Sequence, residues 1–278
     1  MLSRLVLALA LFPAALAQAQ VSDLRLPEVA NARALGMGGA YRATGLGAEA
    51  TLGNPAALGL FKAYNADLTG AWDAASKAAF ISTLVRDSVT SQLAAGVGYT
   101  ILSEGHGAKR QTTNYTTLGL ALPLAESFSL GVSGHYLSRK GLHAADAVTM
   151  DAGAIVRLGG VFTLGATANN LIDTKHPELP RSYGAEAALL AGAFNLAVDG
   201  RSELKKGAFN PTINTGLEYT IGNAVPLRGG YTYEGSTKTS YLSVGAGFAS
   251  EGSGVDFAYR QELKGPGRLL VMSFRGQF

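Results

Sequence analysis

The chain contains no cysteine, so His106, His135, His143 and His176 are the only side chains whose unperturbed titration falls near neutral pH. None forms a His-x-x-x-His pair or stands in an Asp/Glu cluster at metal-ligand spacing, and no metal site is expected. A Ser/His/Asp trio can be drawn from Ser133, His135 and Asp151, which fall near one another on adjacent expected strands. Ser133 and His135 would then share one strand and one face, and no motif marks a nucleophile, so the sequence reads as a non-enzyme. Gly36, Gly38 and Gly39 resemble a phosphate loop only in isolation. No strand-loop-helix unit surrounds them and no Gly-Lys-Ser/Thr follows, so no nucleotide or other cofactor is expected.

The composition explains why such chemistry is sparse. Charged residues are 15% of 278, against about 25% in soluble domains. The net charge of +3 is spread along the chain, which leaves no basic patch for nucleic acid. The 36 glycines follow no Gly-X-Y period and there are only 9 prolines, excluding collagen and Pro-rich disorder. At the amino end Arg4 precedes an apolar run from Leu5 to Leu16, followed by Ala15-Leu16-Ala17 and Ala17-Gln18-Ala19. This is the layout of a cleaved secretory signal over residues 1–19, with either Ala-x-Ala site available for cleavage. No later run is long enough for a transmembrane helix, so a membrane form of this chain must be a barrel.

From Tyr64 onward the residues alternate. One face carries runs such as Phe128-Leu130-Val132-Tyr136 and Phe162-Leu164-Ala166-Ala168 without a charge. The other carries Asp151, Arg157, Glu186, Asp199, Glu218, Arg228, Asp256, Arg260 and Arg275 among glycines. Period-2 segments separated by Gly/Asn/Asp/Ser/Pro turns predict about fourteen strands over residues 63–278. Long connections at 103–113, 140–146, 172–180 and 203–210 alternate with tight ones such as Gly159-Gly160 and Gly222-Asn223-Ala224. A soluble sandwich lacks that asymmetry; an outer-membrane barrel with an even strand number has it. Phe128, Phe162 and Phe194 open strands at the tight-turn end, while Tyr99, Tyr136 and Tyr183 stand near the other, as two aromatic girdles would. The terminus Leu270-Met272-Phe274-Phe278 is similar to the last-strand signal, here carried by Phe274 and Phe278, that barrel-assembly machinery reads. The fold class is therefore all-β, a transmembrane antiparallel up-and-down barrel in a bacterial outer membrane. Its lipids and lipopolysaccharide are the expected surroundings.

Residues 20–62 do not alternate. Asp23, Arg25, Glu28, Arg33, Arg42 and Glu49 are scattered among small residues, and Asn54, Pro55 and Gly59 describe one capped helical turn. The run Gly36-Met37-Gly38-Gly39-Ala40-Tyr41 and the later Asn54-Pro55-Ala56, ahead of an alternating barrel, resemble the superfamily of FadL-type hydrophobic-compound transporters and PorV/PorQ-type outer-membrane proteins. The resemblance implies a fourteen-stranded barrel whose lumen is blocked by an N-terminal hatch. Asn54, Pro55 and Ala56 would be the hatch motif and Gly36, Gly38 and Gly39 its close-packing backbone. It further implies passive uptake of a hydrophobic small molecule, fatty-acid-like or aromatic, with a lateral opening in the third strand at Gly96 and Gly98. PorV/PorQ-like scaffolding of secreted proteins is the alternative, and it is favoured by loops far briefer than those of FadL-type transporters. Buried charges need partners. Asp151, Glu186, Glu218 and Asp256 are available to Arg25, Arg33 and Arg42, and Arg157, Arg228 and Arg260 to Asp23, Glu28 and Glu49.

With an even strand number both barrel ends lie in the periplasm. Single-cysteine labelling of intact cells should therefore modify Lys109→Cys and Lys175→Cys but not Gly160→Cys; labelling of the last alone would invert the topology.

Overall fold

The computed structural model describes residues 30–105, 107–141, 144–176, 179–205 and 208–278. The expected signal segment at 1–19, with Asp23, Arg25 and Glu28, lies outside them, as do His106 and His143. Fourteen strands are found among the described residues. They are β1 Tyr64–Asp73, β2 Ala79–Asp87, β3 Ala94–Glu104, β4 Gln111–Ala125, β5 Phe128–Lys140, β6 Ala145–Leu158 and β7 Phe162–Asn169, then β8 Ser182–Ala191, β9 Phe194–Lys205, β10 Ala208–Ile221, β11 Val225–Glu234, β12 Thr239–Ser250, β13 Ser253–Glu262 and β14 Arg268–Gln277. Each strand pairs antiparallel with its sequence neighbours, and β1 pairs with β14 to close the barrel. Closure removes every sheet edge, the condition for backbone to cross hydrocarbon with its hydrogen bonds satisfied.

The alternation read in the sequence is the alternation of the two faces. Along β2, Phe80, Ser82, Leu84 and Arg86 are buried inside, whereas Ile81 and Thr83 are exposed outside. Leu68, Val97, Leu118, Val132, Val148, Leu196 and Val244 continue the exposed apolar belt around the wall. An apolar surface of this extent does not face water on a soluble protein; on a closed barrel it is the lipid face. The inward face holds Asp67, Arg86, His135, Asp151, Glu186, Asp199, Glu218, Arg228 and Asp256, all buried.

The connections are shorter than the sequence predicts. The loop expected at 203–210 is mostly ladder: β9 and β10 pair from Lys205↔Ala208 through Ser202↔Pro211. Pro211 is tolerated in β10 because it sits where its carbonyl is used, accepting from the Gly235 amide at 2.7 Å. The expected loops at 103–113 and 140–146 likewise lose residues to β3, β4, β5 and β6. The connection from β7 to β8 remains long. Gly159 and Gly160, at φ 57° and 75°, make the tight turn between β6 and β7. At the seam the Phe278 amide donates to the Tyr64 carbonyl at 3.0 Å, and the two rings meet edge to face at 5.9 Å.

Burial depth in lipid yields a graded expectation, because arginine on the lipid face costs ~2–4 kcal/mol at the midplane and ~0–1 kcal/mol near the interface. Val132→Arg, in the middle of β5, should lower the urea midpoint for folding into lipid vesicles by several times more than Leu158→Arg at the turn end of β6. Equal effects would mean that the exposed belt does not face lipid.

Candidate functional site: the filled lumen

Residues 30–62 run through the barrel interior, and most of them are buried. The first element, α1 (Ala32–Gly36), is capped by Asn31, whose Oδ1 accepts from the Ala34 amide at 2.8 Å. The Ala32 amide, left without an intrahelical partner, donates to Ser273 Oγ of β14 at 2.8 Å. Two 3₁₀ turns follow, Ala48–Thr51 and Pro55–Gly59. As the sequence predicts, Asn54 caps the second, accepting from the Ala56 amide at 3.0 Å with Pro55 first in the turn. Gly59 ends the turn from inside rather than standing beyond it.

The segment is held by charge. Arg33 bonds Glu49 at 2.7 Å and Glu218 at 3.1 Å. Glu218 in turn bonds Arg228 at 2.6 Å, Arg228 bonds Asp256 at 2.6 Å, and Asp256 also receives Arg275. Asn31 Nδ2 links Glu49, at 3.1 Å, to Asp67 of β1, at 2.8 Å. Burial alone opposes the Arg33 charge, but Glu218 and Glu49 outweigh it and hold the guanidinium above its ordinary pKa. Farther along, Asp199 accepts from the amides of Tyr41 and Arg42 at 3.0 and 3.1 Å, and the Arg42 guanidinium lies 3.5 Å away. Burial pushes the Tyr41 hydroxyl up to about 12.

Of the pairings open in the sequence, Arg33 with Glu218 forms. The other expected pairings of the described residues do not. Arg42 takes Asp199, Glu49 takes Arg33 of its own segment, and Arg228 joins two wall carboxylates. Glu186 accepts from Asn54 Nδ2 at 2.8 Å. Arg157 sits at the turn end, donating to the Gly160 carbonyl at 2.9 Å and lying over the Phe61 ring at 4.7 Å; Arg260 lies over Tyr241 at 4.7 Å. The main anchor that sequence reasoning missed is Arg86. It is fully buried and donates to the Gly45 carbonyl at 2.6 Å and to that of Phe61. Its signal was present: it shares the inward face of β2 with Phe80, Ser82 and Leu84.

Ser133, His135 and Asp151 do come together, but in a geometry unlike a catalytic triad. Ser133 Oγ, at 3.0 Å, and Asp151 Oδ2, at 2.9 Å, both meet His135 Nε2, while Nδ1 faces Thr117 at 2.9 Å. A triad needs acid and nucleophile on opposite ring nitrogens. The imidazole also stacks on Tyr115 at 5.4 Å, and Asp151 Oδ1 accepts the Asn170 amide at 2.7 Å, tying the β7–β8 connection to the wall. Above it, burial, with Arg139 adding to the effect, holds the His176 imidazole below its ordinary pKa.

Wall glycines make room for the segment's backbone. A Cβ at Gly230 would collide with Met37 and the Gly38 amide, and one at Gly131 with Pro55 and Ala56. Gly36 packs against Gly245 and Arg228; Gly38 and Gly39 take φ 62° and 81°. Gly96 and Gly98 do not open the wall. The ladders of β3 with β2 and β4 run unbroken through both, and Gly96 faces Thr51 and Leu58 of the segment.

Gly230→Val should therefore expel the Met37–Gly38 backbone while the strand ladder survives. The steric cost is at least about 1–3 kcal/mol. Planar-bilayer recordings should show a folded barrel that turns from nearly silent to conducting; a variant that stays closed would mean that the barrel's own side chains seal the lumen.

No protein-family model and no curated protein matches the sequence. Solved structures share its architecture. The CymD monoaromatic hydrocarbon channel superposes with TM-score 0.68 at 14% identity, over 89% of this chain and 97% of that one. The Ralstonia pickettii toluene transporter TbuX gives 0.68 at 13% identity, over 89% and 98%. A Pseudomonas aeruginosa FadL homologue gives 0.63 at 13% identity, over 89% and 98%. The closed fourteen-stranded wall is thus that of the FadL-type barrels, and this is the fold of the chain.

Proposed function

We propose that the protein is a passive channel for hydrophobic small molecules, fatty-acid-like or aromatic, across a bacterial outer membrane, with residues 20–62 acting as its hatch. The observation that carries this reading is the division of the lumen. Toward the end opposite the termini, β2 to β6 send apolar side chains inward among hydroxyls such as those of Ser82, Thr100 and Thr113. Phe80, Leu102, Tyr115 and Leu137 form one buried cluster with Tyr41 and Leu52 of the segment and Leu179 of the β7–β8 connection. Around Arg33, against β10, β11, β13 and β14, the lumen is ionic. An apolar solute entering from outside would meet this cluster first, and its contact with Tyr41 and Leu52 couples occupancy to the seating of the segment. Release then passes the displaced segment toward the periplasm rather than through β3. The channels and transporters with which the chain shares its fold are named for monoaromatic hydrocarbons and toluene, which supports an apolar solute.

A PorV/PorQ-like scaffold is the second reading, and the packed lumen and brief loops favour it. The absence of native cysteine allows a clean test. Ala32→Cys with Ser273→Cys places a disulfide where the Ala32 amide meets Ser273 Oγ at 2.8 Å. In intact cells, oxidation should reduce uptake of a labelled monoaromatic or long-chain fatty acid about tenfold, a loss of about 1.4 kcal/mol in effective permeation, and reductant should restore it. Uptake that is indifferent to the lock, or equal without the protein, would favour the scaffold.

A further inference from the structure

The lipid face is not uniform. An open groove of about 830 Å³ crosses the outside of β12, β13, β14, β1 and β2. Its floor is Gly70 and Ala246, and its sides include Trp72, Ile81, Phe257 and Tyr259. The register explains the hollow. Gly70 lies between Met272 and Ile81 in one row, and a Cβ at Gly70 would touch nothing within 4 Å. Large side chains flank small ones on a surface that a barrel otherwise makes convex. The groove reaches the outer rim, since Trp72↔Ala79 is the last pair before the β1–β2 turn.

Three turns at that rim carry a single sign of exposed charge. Lys77, Lys238 and Lys264 are exposed on the β1–β2, β11–β12 and β13–β14 connections. Lys77 and Lys238 sit at φ 59° and 55°, fixed by their turns. The acids beside them are buried or half-buried and turned to local donors. Asp73 accepts from the Ala75 and Ser76 amides at 2.8 and 3.3 Å, Glu234 from Ser236 at 2.9 Å, and Glu262 from the Gly267 amide at 3.1 Å. An apolar trough beneath a rim whose exposed charges are lysines complements a lipid with acyl chains below and phosphates above. A second copy docked here about an axis along the membrane normal would bring two lysine rims together, which like-charge repulsion opposes.

We propose that this groove is a binding site for one phosphorylated, multi-acyl glycolipid of the outer leaflet, with acyl chains against Gly70 and Trp72 and phosphates on Lys77, Lys238 and Lys264. The site is independent of the lumen and of what crosses it. Native mass spectrometry of the purified full barrel, mixed with bisphosphorylated lipid A, its dephosphorylated form or phosphatidylethanolamine, tests it. The wild type should retain a single bisphosphorylated lipid. Its retention should fall about tenfold on dephosphorylation or in the Lys77→Gln/Lys238→Gln/Lys264→Gln variant. Gly70→Trp, which fills the trough from open space, should abolish retention while the barrel still migrates as folded on unheated gels. No retention by the wild type, equal retention of the dephosphorylated lipid, indifference to the lysine changes, or a dimer that Gly70→Trp dissolves would each overturn the site.

Discussion

The interior depends on one constraint, that charge enclosed in the barrel must be neutralised there. Six side chains alternate in sign across the lumen: Glu49, Arg33, Glu218, Arg228, Asp256 and Arg275. Two belong to the N-terminal segment and four to β10, β11, β13 and β14, and Arg33–Glu218 is the ion pair that joins the two sets. Removing any member leaves the enclosed network one charge out of balance, at a cost of up to about 3–5 kcal/mol. Such a chain adds little net stability over apolar packing, yet it specifies one seating, because a shifted segment would break Arg33–Glu218 and Arg42–Asp199 together.

How much of this was legible follows from the range of each signal. Alternation is local and lipid enforces it on every strand, so the expected count of about fourteen over residues 63–278 is met by fourteen strands from Tyr64 to Gln277. The cap at Asn54 is equally local. Which charges meet is not, because it depends on how far the strands shear around the ring. Asp199 and Arg42, 157 residues apart, meet only once that offset is set. Arg86 escaped notice for a different reason. Its partners are the backbone carbonyls of Gly45 and Phe61, and no complementary side chain advertises them. The loop expected at 203–210 is mostly strand because β9 and β10 stay paired beyond the residues that alternate clearly, from Lys205↔Ala208 through Ser202↔Pro211.

The segment is fitted to the wall by subtraction as much as by attraction. Gly230 and Gly131 lack the Cβ atoms that would meet Met37, Gly38, Pro55 and Ala56, so backbone lies on backbone and the polar groups find partners: Thr232 Oγ1 donates to the Gly38 carbonyl at 2.7 Å. Such contacts are close, directional and few, holding the segment in one place and losing most of their value after a small displacement. The apolar cluster under Leu179 is more tolerant, since dispersion contacts re-form with any solute of suitable shape.

The last strand does two things that the chain cannot do earlier. Thr69 meets Ser273 Oγ to Oγ at 2.8 Å across 204 residues, and the Ala32 amide reaches the same hydroxyl across 241. Contacts of such sequence separation form late, because the closure entropy of the intervening chain is lost before they contribute. A nascent barrel lacking β14 therefore has two open edges, and the Ala32 amide of its first helix lacks its acceptor. Ring closure and lumen filling thus share a serine, and the strand that finishes the wall also receives the first turn of what fills it.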